Sequence, residues 1–320
     1  MANICSLEEI IESFNDSPST ILTGFQCIDQ LAGGLHSGSV ITIGARTGMG
    51  KTSFALSIAK NIAVDYHKPI AFFSLEMDSV QLVNRLISNV CEISGKKILS
   101  GQLSPDEWER FDSNVRKLRG APIYIDETPS LSIFELRTKA RRLKKEHGIE
   151  VLMIDYLQLM TASGMKTNSR QEEVSAISRS LKGLAKELGI PILALSQLSR
   201  DLEKREGIEG KRPQLSDLRE SGAIEQDADM VLFVHRPEYF HIYDDGHGHD
   251  MHGMAQIIIA KHRKGATGDV TLRFRGEFTR FSNPEDEPQD NFQLPDGMGG
   301  EIIGSRINGE FPSDNNQPPF

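Results

Sequence analysis

The sequence is poor in cysteine and has no long apolar run. Its 320 residues include 3 cysteines, Cys5, Cys27 and Cys91, and no Cys-x-x-Cys pair. An odd number without that spacing argues against a disulfide framework or a zinc site and is typical of a reducing compartment. There is no stretch of about 18 uncharged apolar residues, as a membrane-spanning helix needs, and no secretory signal pattern. These absences predict a cytoplasmic protein.

Positive charge is also scarce, but the imbalance is local. Residues 283–320 hold eight acidic residues and one basic residue, Arg306, and so carry −7 of the formal net charge of −9. The rest of the chain is nearly neutral, so composition offers no support for a basic nucleic-acid channel and leaves a local one open. Because 283–320 is also rich in proline, glycine and asparagine, we expect a disordered acidic tail.

The N-terminal residues 1–17 are expected to form a linker helix and hinge. Leu7, Ile10, Ile11 and Phe14 fall on one helical face, and the breaker-rich segment after them separates this face from the domain that follows. The helix can pack on its own domain or dock on a neighbouring subunit, and the sequence leaves both open.

Between 18 and 282, short apolar runs alternate with helical patterns. Strands buried on both faces of a parallel sheet are almost purely apolar, and six runs fit that description. They lie at 40–43, 69–77, 122–127, 151–155, 192–197 and 230–234. Two further strand-like runs, joined by a basic glycine turn at Lys261 to Gly265, predict an antiparallel pair. The sequence therefore predicts an α/β domain with a mostly parallel central sheet, whose ligand site lies at the carboxyl ends of the strands.

The helical segments carry clear start and stop signals. Ser104, Ser132 and Ser169 each stand three residues before a glutamate, which is a capping pattern. Gly148 and Gly189 follow the last residues of two helical patterns.

The first apolar run leads into a small-residue loop and a helix. Residues 45–52 fit the phosphate-loop pattern G-x-x-x-x-G-K-[ST], except that Ala45 replaces the first glycine. Lys51 would reach the β and γ phosphates, and the Thr52 hydroxyl would hold Mg²⁺. A glycine-rich turn without a ligand is the alternative, but strand, loop, Lys-Thr pair and helix occur in the required order. The candidate ATP-binding residues are Gly48, Met49, Gly50, Lys51, Thr52 and Ser53.

Three other strands end on polar side chains. Asp155 suits the metal position, Glu76 suits the catalytic base, and Gln197 can sense the γ-phosphate because it both donates and accepts. The plainer alternatives are a helix cap or turn residue for Glu76 and an ordinary strand end for Gln197. A nearby phosphate loop favours the catalytic interpretation. The histidines between 241 and 252 form a weak metal pattern, and their glycine-rich context is more typical of a solvated loop.

Five stretches together resemble the C-terminal ATPase domain of the DnaB-type replicative DNA helicases, over about 23–281. They are 45–52, 73–77, 153–160, 194–200 and 216–222. The resemblance implies a RecA-like fold, a homo-hexameric ring with ATP sites between subunits, and 5′ to 3′ movement along single-stranded DNA with unwinding of duplex. It also implies that Lys51 and Thr52 bind phosphate and Mg²⁺, and that Glu76, Asp155 and Gln197 act as base, second metal-side carboxylate and sensor.

The same resemblance implies roles for two further groups. Lys261 and Arg263 would reach as a pair into the next subunit's site, Arg263 as an arginine finger, although His262 and Lys264 stand where the family usually has Gln and Asn. A second set, which matches the loop that lines the DNA channel, consists of Arg219, Glu220 and Gly222. A helicase loader is an expected partner. The family's N-terminal helical domain has no counterpart in the sequence, which puts a primase interaction in doubt.

Two other interpretations stay open. A RecA-like recombination-associated ATPase would share Lys51, Glu76 and Asp155 but form a filament, and the turn at Lys261 to Arg263 favours the helicase instead. A nucleotide-switch scaffold would hydrolyse ATP slowly to time assembly, and stimulation by single-stranded DNA would exclude it.

Overall fold

Nine strands form the sheet on which the domain is built. The computed structural model describes residues 20–163, 169–244, 248 and 250–286, without the side chains of 208 and 219–222. In chain order, the strands of this sheet and of a separate two-stranded sheet are β1 (Thr20–Ile21), β2 (Leu35–His36), β3 (Val40–Ala45), β4 (Ile70–Ser74), β5 (Ile123–Asp126), β6 (Val151–Asp155), β7 (Ile192–Gln197), β8 (Met230–His235), β9 (Met254–His262), β10 (Gly268–Arg275) and β11 (Arg280–Ser282).

The order across the large sheet is β11-β10-β9-β8-β3-β7-β6-β4-β5. In this order, the strands from β8 to β5 are parallel to one another. On the other side of β8, the strands β9, β10 and β11 follow, and each is antiparallel to the strand before it. The short strands β1 and β2 form a separate antiparallel pair. The mostly parallel sheet confirms the predicted α/β class. The predicted antiparallel pair corresponds to β9 and β10 of the same sheet.

Helices connect the strands and cover the sheet. They are α1 (Gln26–Ala32), α2 (Lys51–Lys60), α3 (Ser79–Cys91), α4 (Gly95–Ser100), α5 (Pro105–Arg119), α6 (Ile133–His147), α7 (Arg170–Leu188), α8 (Gly207–Gly210) and α9 (Gly222–Asp227). A π-helical turn, Asn61–Asp65, continues α2, and short 3-10 turns include Leu157–Leu159, Arg200–Lys204, Leu215–Ser221 and Pro237–Phe240. None of the helices in the described ranges is long and apolar enough to cross a membrane.

The predicted caps are present. Ser104 accepts from the Glu107 N–H while Glu107 accepts from the Ser104 N–H, which completes a capping box at the start of α5. Ser132 and Ser169 cap α6 and α7 in the same way through their hydroxyls. Gly148 and Gly189 end these two helices in the left-handed conformation that glycine adopts most readily. These local signals are therefore confirmed.

Alternate residues of each central strand face two different cores. Phe72 packs with α1 and α2 on one face of the sheet, whereas Phe73 packs with α6 and α7 on the other, and both side chains are fully buried. Met153 and Ile154 of β6 divide in the same way. Because side chains alternate across a strand, burial on both faces explains why β4 and β6 carry no polar residue before their last position.

The last described residues close back on the first helix. The Asn283 side chain accepts from the Gln26 N–H at 3.0 Å and donates to the Gly24 carbonyl at 3.3 Å. Residues 1–19 and 287–320 lie outside the described part, and with them the predicted linker helix and most of the predicted acidic tail. The division at 17 and 282 therefore stays a prediction.

A buried histidine at the end of β8 makes the stability of the domain depend on pH. His235 is 3% exposed, stacks on Phe240, and has no partner for its Nδ1 within the described residues. Burial, with a smaller contribution from Arg212, lowers the pKa of His235 to about 4. The neutral ring is thus favoured in the folded chain, so its contribution is full above the unfolded pKa and is lost as the pH falls from there toward 4.

We therefore expect His235→Gln to flatten the pH dependence of stability. Between about pH 6.5 and 4 the wild type should lose roughly 3 kcal/mol of unfolding free energy more than the variant, since each pKa unit corresponds to about 1.4 kcal/mol. Denaturant unfolding at several pH values measures this difference. His67→Gln, at an exposed position, should keep the wild-type dependence. Equal pH curves for wild type and His235→Gln would contradict the assignment.

Candidate functional site

The loop between β3 and α2 forms an open cradle of backbone. Gly48 and Gly50 have φ of 82° and 92°, in the left-handed region, and Gly50 is the residue before α2. A Cβ at Gly50 would lie 3.2 Å from the Phe281 ring, and one at Gly48 would lie 3.1 Å from the Tyr239 ring. The left-handed conformation and these close approaches favour glycine at both positions. The loop ends at the N–H groups that begin α2, where an anion is stabilised.

Lys51 and Thr52 converge on a single buried carboxylate. Asp155, the last residue of β6, is 1% exposed. Its Oδ2 accepts from the Thr52 hydroxyl at 2.7 Å, and its Oδ1 lies 3.6 Å from the Lys51 ammonium. At that distance the second contact is an ion pair rather than a hydrogen bond, and Oδ1 has no hydrogen-bond partner within the described chain. A buried carboxylate oxygen beside a hydroxyl fits Mg²⁺, which prefers such hard oxygen ligands.

The Lys51 ammonium is also largely shielded from water. It lies 4.2 Å from the centroid of the Tyr156 ring. Burial lowers the pKa of Lys51, while the charges of Asp155 and Glu76 act in the opposite direction. A partly dehydrated cation that faces an open loop gains strongly from an added anion such as phosphate.

Glu76 and Gln197 lie at the same edge of the sheet. Glu76 is exposed in the turn after β4, and its charge is close enough to raise the pKa of Tyr156, whose main perturbation is burial. Gln197 ends β7, beside Ala45 of β3, and its Nε2 donates to the Thr47 hydroxyl at 3.0 Å. The structure thus brings the predicted base and sensor to the phosphate loop.

Two of the predicted binding residues turn their side chains inward. Met49 is 2% exposed and packs in the core, and its N–H donates to the Arg46 carbonyl. Ser53 is also buried. If Met49 or Ser53 takes part in binding, it does so through the main chain, a detail that the motif does not specify.

Sequence reasoning gave no role to two residues that contact this site. The Gln158 amide donates to the Ser196 hydroxyl at 2.8 Å and accepts from the Gln197 N–H at 3.3 Å, so it fixes the end of β7. Arg236 donates to the Gly48 carbonyl at 3.4 Å and lies over the Phe274 ring. Gln158 lies inside one of the stretches that carry the resemblance, whereas nothing in the sequence pattern marks Arg236.

Lys261 and Arg263 lie at the opposite edge of the sheet. His262, between them, pairs with Met230 at the start of β8, and Met230 pairs with Ile41 near the start of β3. Lys261 and Arg263 both donate to the Gln226 carbonyl, at the C-terminal end of α9, where cations are stabilised. The phosphate loop follows the other end of β3, about 15 Å farther along the strand at about 3.3 Å per residue. The structure does not bring this pair to the chain's own phosphate loop.

The remaining predicted groups are only partly described. Arg219 and Glu220 belong to the turn Leu215–Ser221, and Gly222 begins α9, but only the secondary structure of these residues is described. His247 and His249 are also outside. Within the described ranges, no three His, Cys, Asp or Glu side chains gather in a group that could hold a metal.

Comparison with known proteins gives the family. A model of the DnaB-like helicase C-terminal domain matches residues 20–283. The chain belongs to the DnaB-like helicase C-terminal domain family. Membership implies that the domain binds a nucleotide.

Relatives of this DnaB-like domain are named as replicative helicases. "Replicative DNA helicase DnaB" of Geobacillus stearothermophilus is 43% identical over 289 residues, which cover 90% of this chain and 62% of that protein. "Replicative DNA helicase DnaC" of Bacillus subtilis is 43% identical over 83% of this chain and 57% of its own length. The chain thus spans about three fifths of these curated relatives.

Solved structures agree with this assignment. One of them, described as an ATPase domain, has a TM-score of 0.78 at 35% identity and is covered completely by 88% of this chain. A DnaB-like replicative helicase, studied with its interactions with primase, has the same TM-score and identity, with 89% of this chain and 69% of that one covered. The RecA-like fold expected for this DnaB-like domain is therefore confirmed.

Gly50→Ala tests the cradle directly. A methyl group here meets Phe281 and forces a left-handed conformation on alanine, at a cost of about 1 kcal/mol or more, so the loop should shift. We expect nucleotide affinity to fall at least about tenfold, as titration of a fluorescent nucleotide would show.

Gly95→Ala is the matched control, since a Cβ at Gly95 has nothing within 4 Å and the residue lies in α4. Its affinity should equal that of the wild type. An unchanged affinity in Gly50→Ala would show that the loop does not hold the nucleotide.

Proposed function

We propose that this chain is the motor of a replicative DNA helicase. It hydrolyses ATP with Mg²⁺ as a homo-hexamer, moves 5′ to 3′ on single-stranded DNA and unwinds duplex. Family membership and relatives named as replicative DNA helicases support the proposal. The observation that carries it is the meeting of Lys51, Thr52 and Asp155 at the end of the phosphate loop.

The residues at the carboxyl ends of the parallel strands have separate roles in phosphoryl transfer. Loop N–H groups and Lys51 bind the β and γ phosphates and hold them in line for attack. Thr52 and Asp155 would hold Mg²⁺, which neutralises charge on the phosphates. Glu76 is exposed and lies in the turn that the Ser74 hydroxyl closes by donating to the Met77 carbonyl at 2.7 Å, and it takes the proton of the attacking water. Gln197 responds to the γ-phosphate from the neighbouring strand.

The position of Arg263 supports a role at the site of a second subunit. A cation at the far edge of the sheet cannot neutralise charge at the loop of its own chain, but in a ring it faces the loop of the next subunit. Lys261 extends in the same direction, and both are anchored at the end of α9. We therefore propose that each ATP site lies between two subunits, with Arg263 as the trans-acting finger and Lys261 beside it.

The DNA-contacting residues are proposed on the resemblance alone. Arg219, Glu220 and Gly222 would hold the DNA backbone from the turn Leu215–Ser221 and the start of α9. A helicase loader is a proposed partner, and the solved relative described with primase provides no evidence for a primase contact in this chain. The proposed setting is the cytoplasm.

A strand-displacement assay tests the proposed function. Purified full-length chain, ATP and Mg²⁺ should release a labelled strand from duplexes with a single-stranded 5′ tail on the loading strand and not from those with only a 3′ tail. Oligothymidylate should stimulate ATP hydrolysis in the same preparation. Lys51→Ala should abolish both activities, because the phosphates lose their cation. DNA-independent hydrolysis without displacement would instead favour the nucleotide-switch interpretation.

Mixing of two inactive variants tests the shared site. Arg263→Ala and Glu76→Gln should each lower turnover by about 10³-fold. Mixed rings contain interfaces with an intact Glu76 on one side and an intact Arg263 on the other, so activity should partly return. Native mass spectrometry verifies hexamers and their mixing. Arg142→Ala, at an exposed position of α6, is the control that should stay active. Absence of recovery in co-assembled rings would contradict action across the interface.

A further inference from the structure

A buried arginine lies within the phosphate loop itself. Arg46 is only 6% exposed. Its Nε donates to Glu203 Oε1 at 2.9 Å, its Nη2 donates to the same carboxylate oxygen, and its Nη1 donates to the Leu198 carbonyl at 3.1 Å. A guanidinium is kept out of water at a cost unless it is paired, so these contacts fasten the loop to the segment after β7. The phosphate-loop motif accepts any residue at this position and therefore gives Arg46 no role.

The segment that holds Arg46 continues to the turn proposed to contact DNA. The Ser199 N–H donates to the Asp217 carbonyl at 3.1 Å, and Arg205 pairs with the Asp217 carboxylate. Asp217 is buried, and its other carboxylate oxygen accepts from the Gln214 N–H at 2.7 Å. Asp217 belongs to the turn Leu215–Ser221, so two ion pairs in series join the phosphate loop to that turn.

Close apolar packing supports the same path. Leu198 and Leu218 are both buried and share one small core with Phe233. Gly44, just before the loop, is so near this core that a Cβ there would lie 2.8 Å from Phe233 and 3.0 Å from Leu198. Packed side chains have little room for independent shifts, so a displacement of the loop is passed to Leu218 and the turn that contains it.

We propose that the Arg46–Glu203 ion pair couples the nucleotide state of the phosphate loop to DNA affinity at Leu215–Ser221. Arg46 and Glu203 are then positioning residues: they act through the turn and contact neither reacting atoms nor DNA. The link is separate from Gln197, which contacts Thr47 on the open side of the loop. The inference rests on the proposed function, since it requires the turn to bind single-stranded DNA.

The competing explanation is that the Arg46–Glu203 ion pair only stabilises the loop, as a static brace. Loss of such a brace would lower the melting temperature and the nucleotide affinity in every state of the protein. A coupling link predicts a change in the ratio of DNA affinities between two nucleotide states. By linkage, that ratio equals the factor by which DNA changes the relative affinity for the two nucleotides.

The test measures this ratio in the full chain. Binding of fluorescein-labelled oligothymidylate is followed by anisotropy with ADP and with a non-hydrolysable ATP analogue. Glu203→Gln keeps one acceptor for Arg46 but removes the charge, and we expect the ratio of the two dissociation constants to move about 3- to 10-fold toward one. Arg205→Gln, which breaks the second ion pair, should move it in the same direction. Glu206→Gln is the matched control at an exposed position three residues on, and it should keep the wild-type ratio.

The outcomes separate the two proposals. Failure of the wild type to bind oligothymidylate in either state would overturn the helicase proposal and this inference with it. Binding by the wild type with an unchanged ratio in Glu203→Gln would overturn the link alone, and a lowered melting temperature with that result would identify a brace. A wild-type ratio of one would also overturn the link.

Discussion

The Asp155 carboxylate is almost completely removed from water, and the proposed nucleotide site is arranged around it. An isolated buried carboxylate is unstable, so its surroundings must supply a cation and donors. Lys51 and Thr52 supply them from the first turn of α2, which fixes where that helix begins relative to β6. The oxygen left without a hydrogen bond is the one that faces Lys51. The resting site is thus held together by the same groups that a nucleotide would engage, and binding exchanges partners without building a new structure.

The parallel sheet determines which residues can cooperate. Strand ends that meet at one edge bring together Glu76, Asp155, Gln197 and the phosphate loop, although they are far apart in the sequence. Strand β9 runs in the opposite direction, so Lys261 and Arg263 emerge at the other edge. The proposed division of the site between subunits would therefore follow from one reversal of strand direction.

Much of this could be predicted because the signals are local. Apolar runs gave the strands, serine-glutamate spacings gave the starts of α5, α6 and α7, and the phosphate-loop pattern gave Lys51 and Thr52. Contacts between distant segments were not predictable in the same way. Gln158, Arg236 and the Arg46–Glu203 pair carry no spacing signal, because each depends on two stretches of chain that only the folded sheet brings together. The inward side chain of Met49 was not predictable either, because the motif specifies residue types along the loop and not how their side chains pack.

The bonds from Asn283 to Gly24 and Gln26 bring the two ends of the described domain to one corner. The chain enters and leaves at the same place, close to the first turn of α1, so the path of the backbone is nearly a closed loop. In such a fold, moving the chain ends changes the connectivity of the backbone but not the contacts that stabilise the sheet and core. The ends could be joined by a short linker and new ones opened in an exposed loop with the same sheet and core retained, and the domain is in this sense a natural candidate for circular permutation.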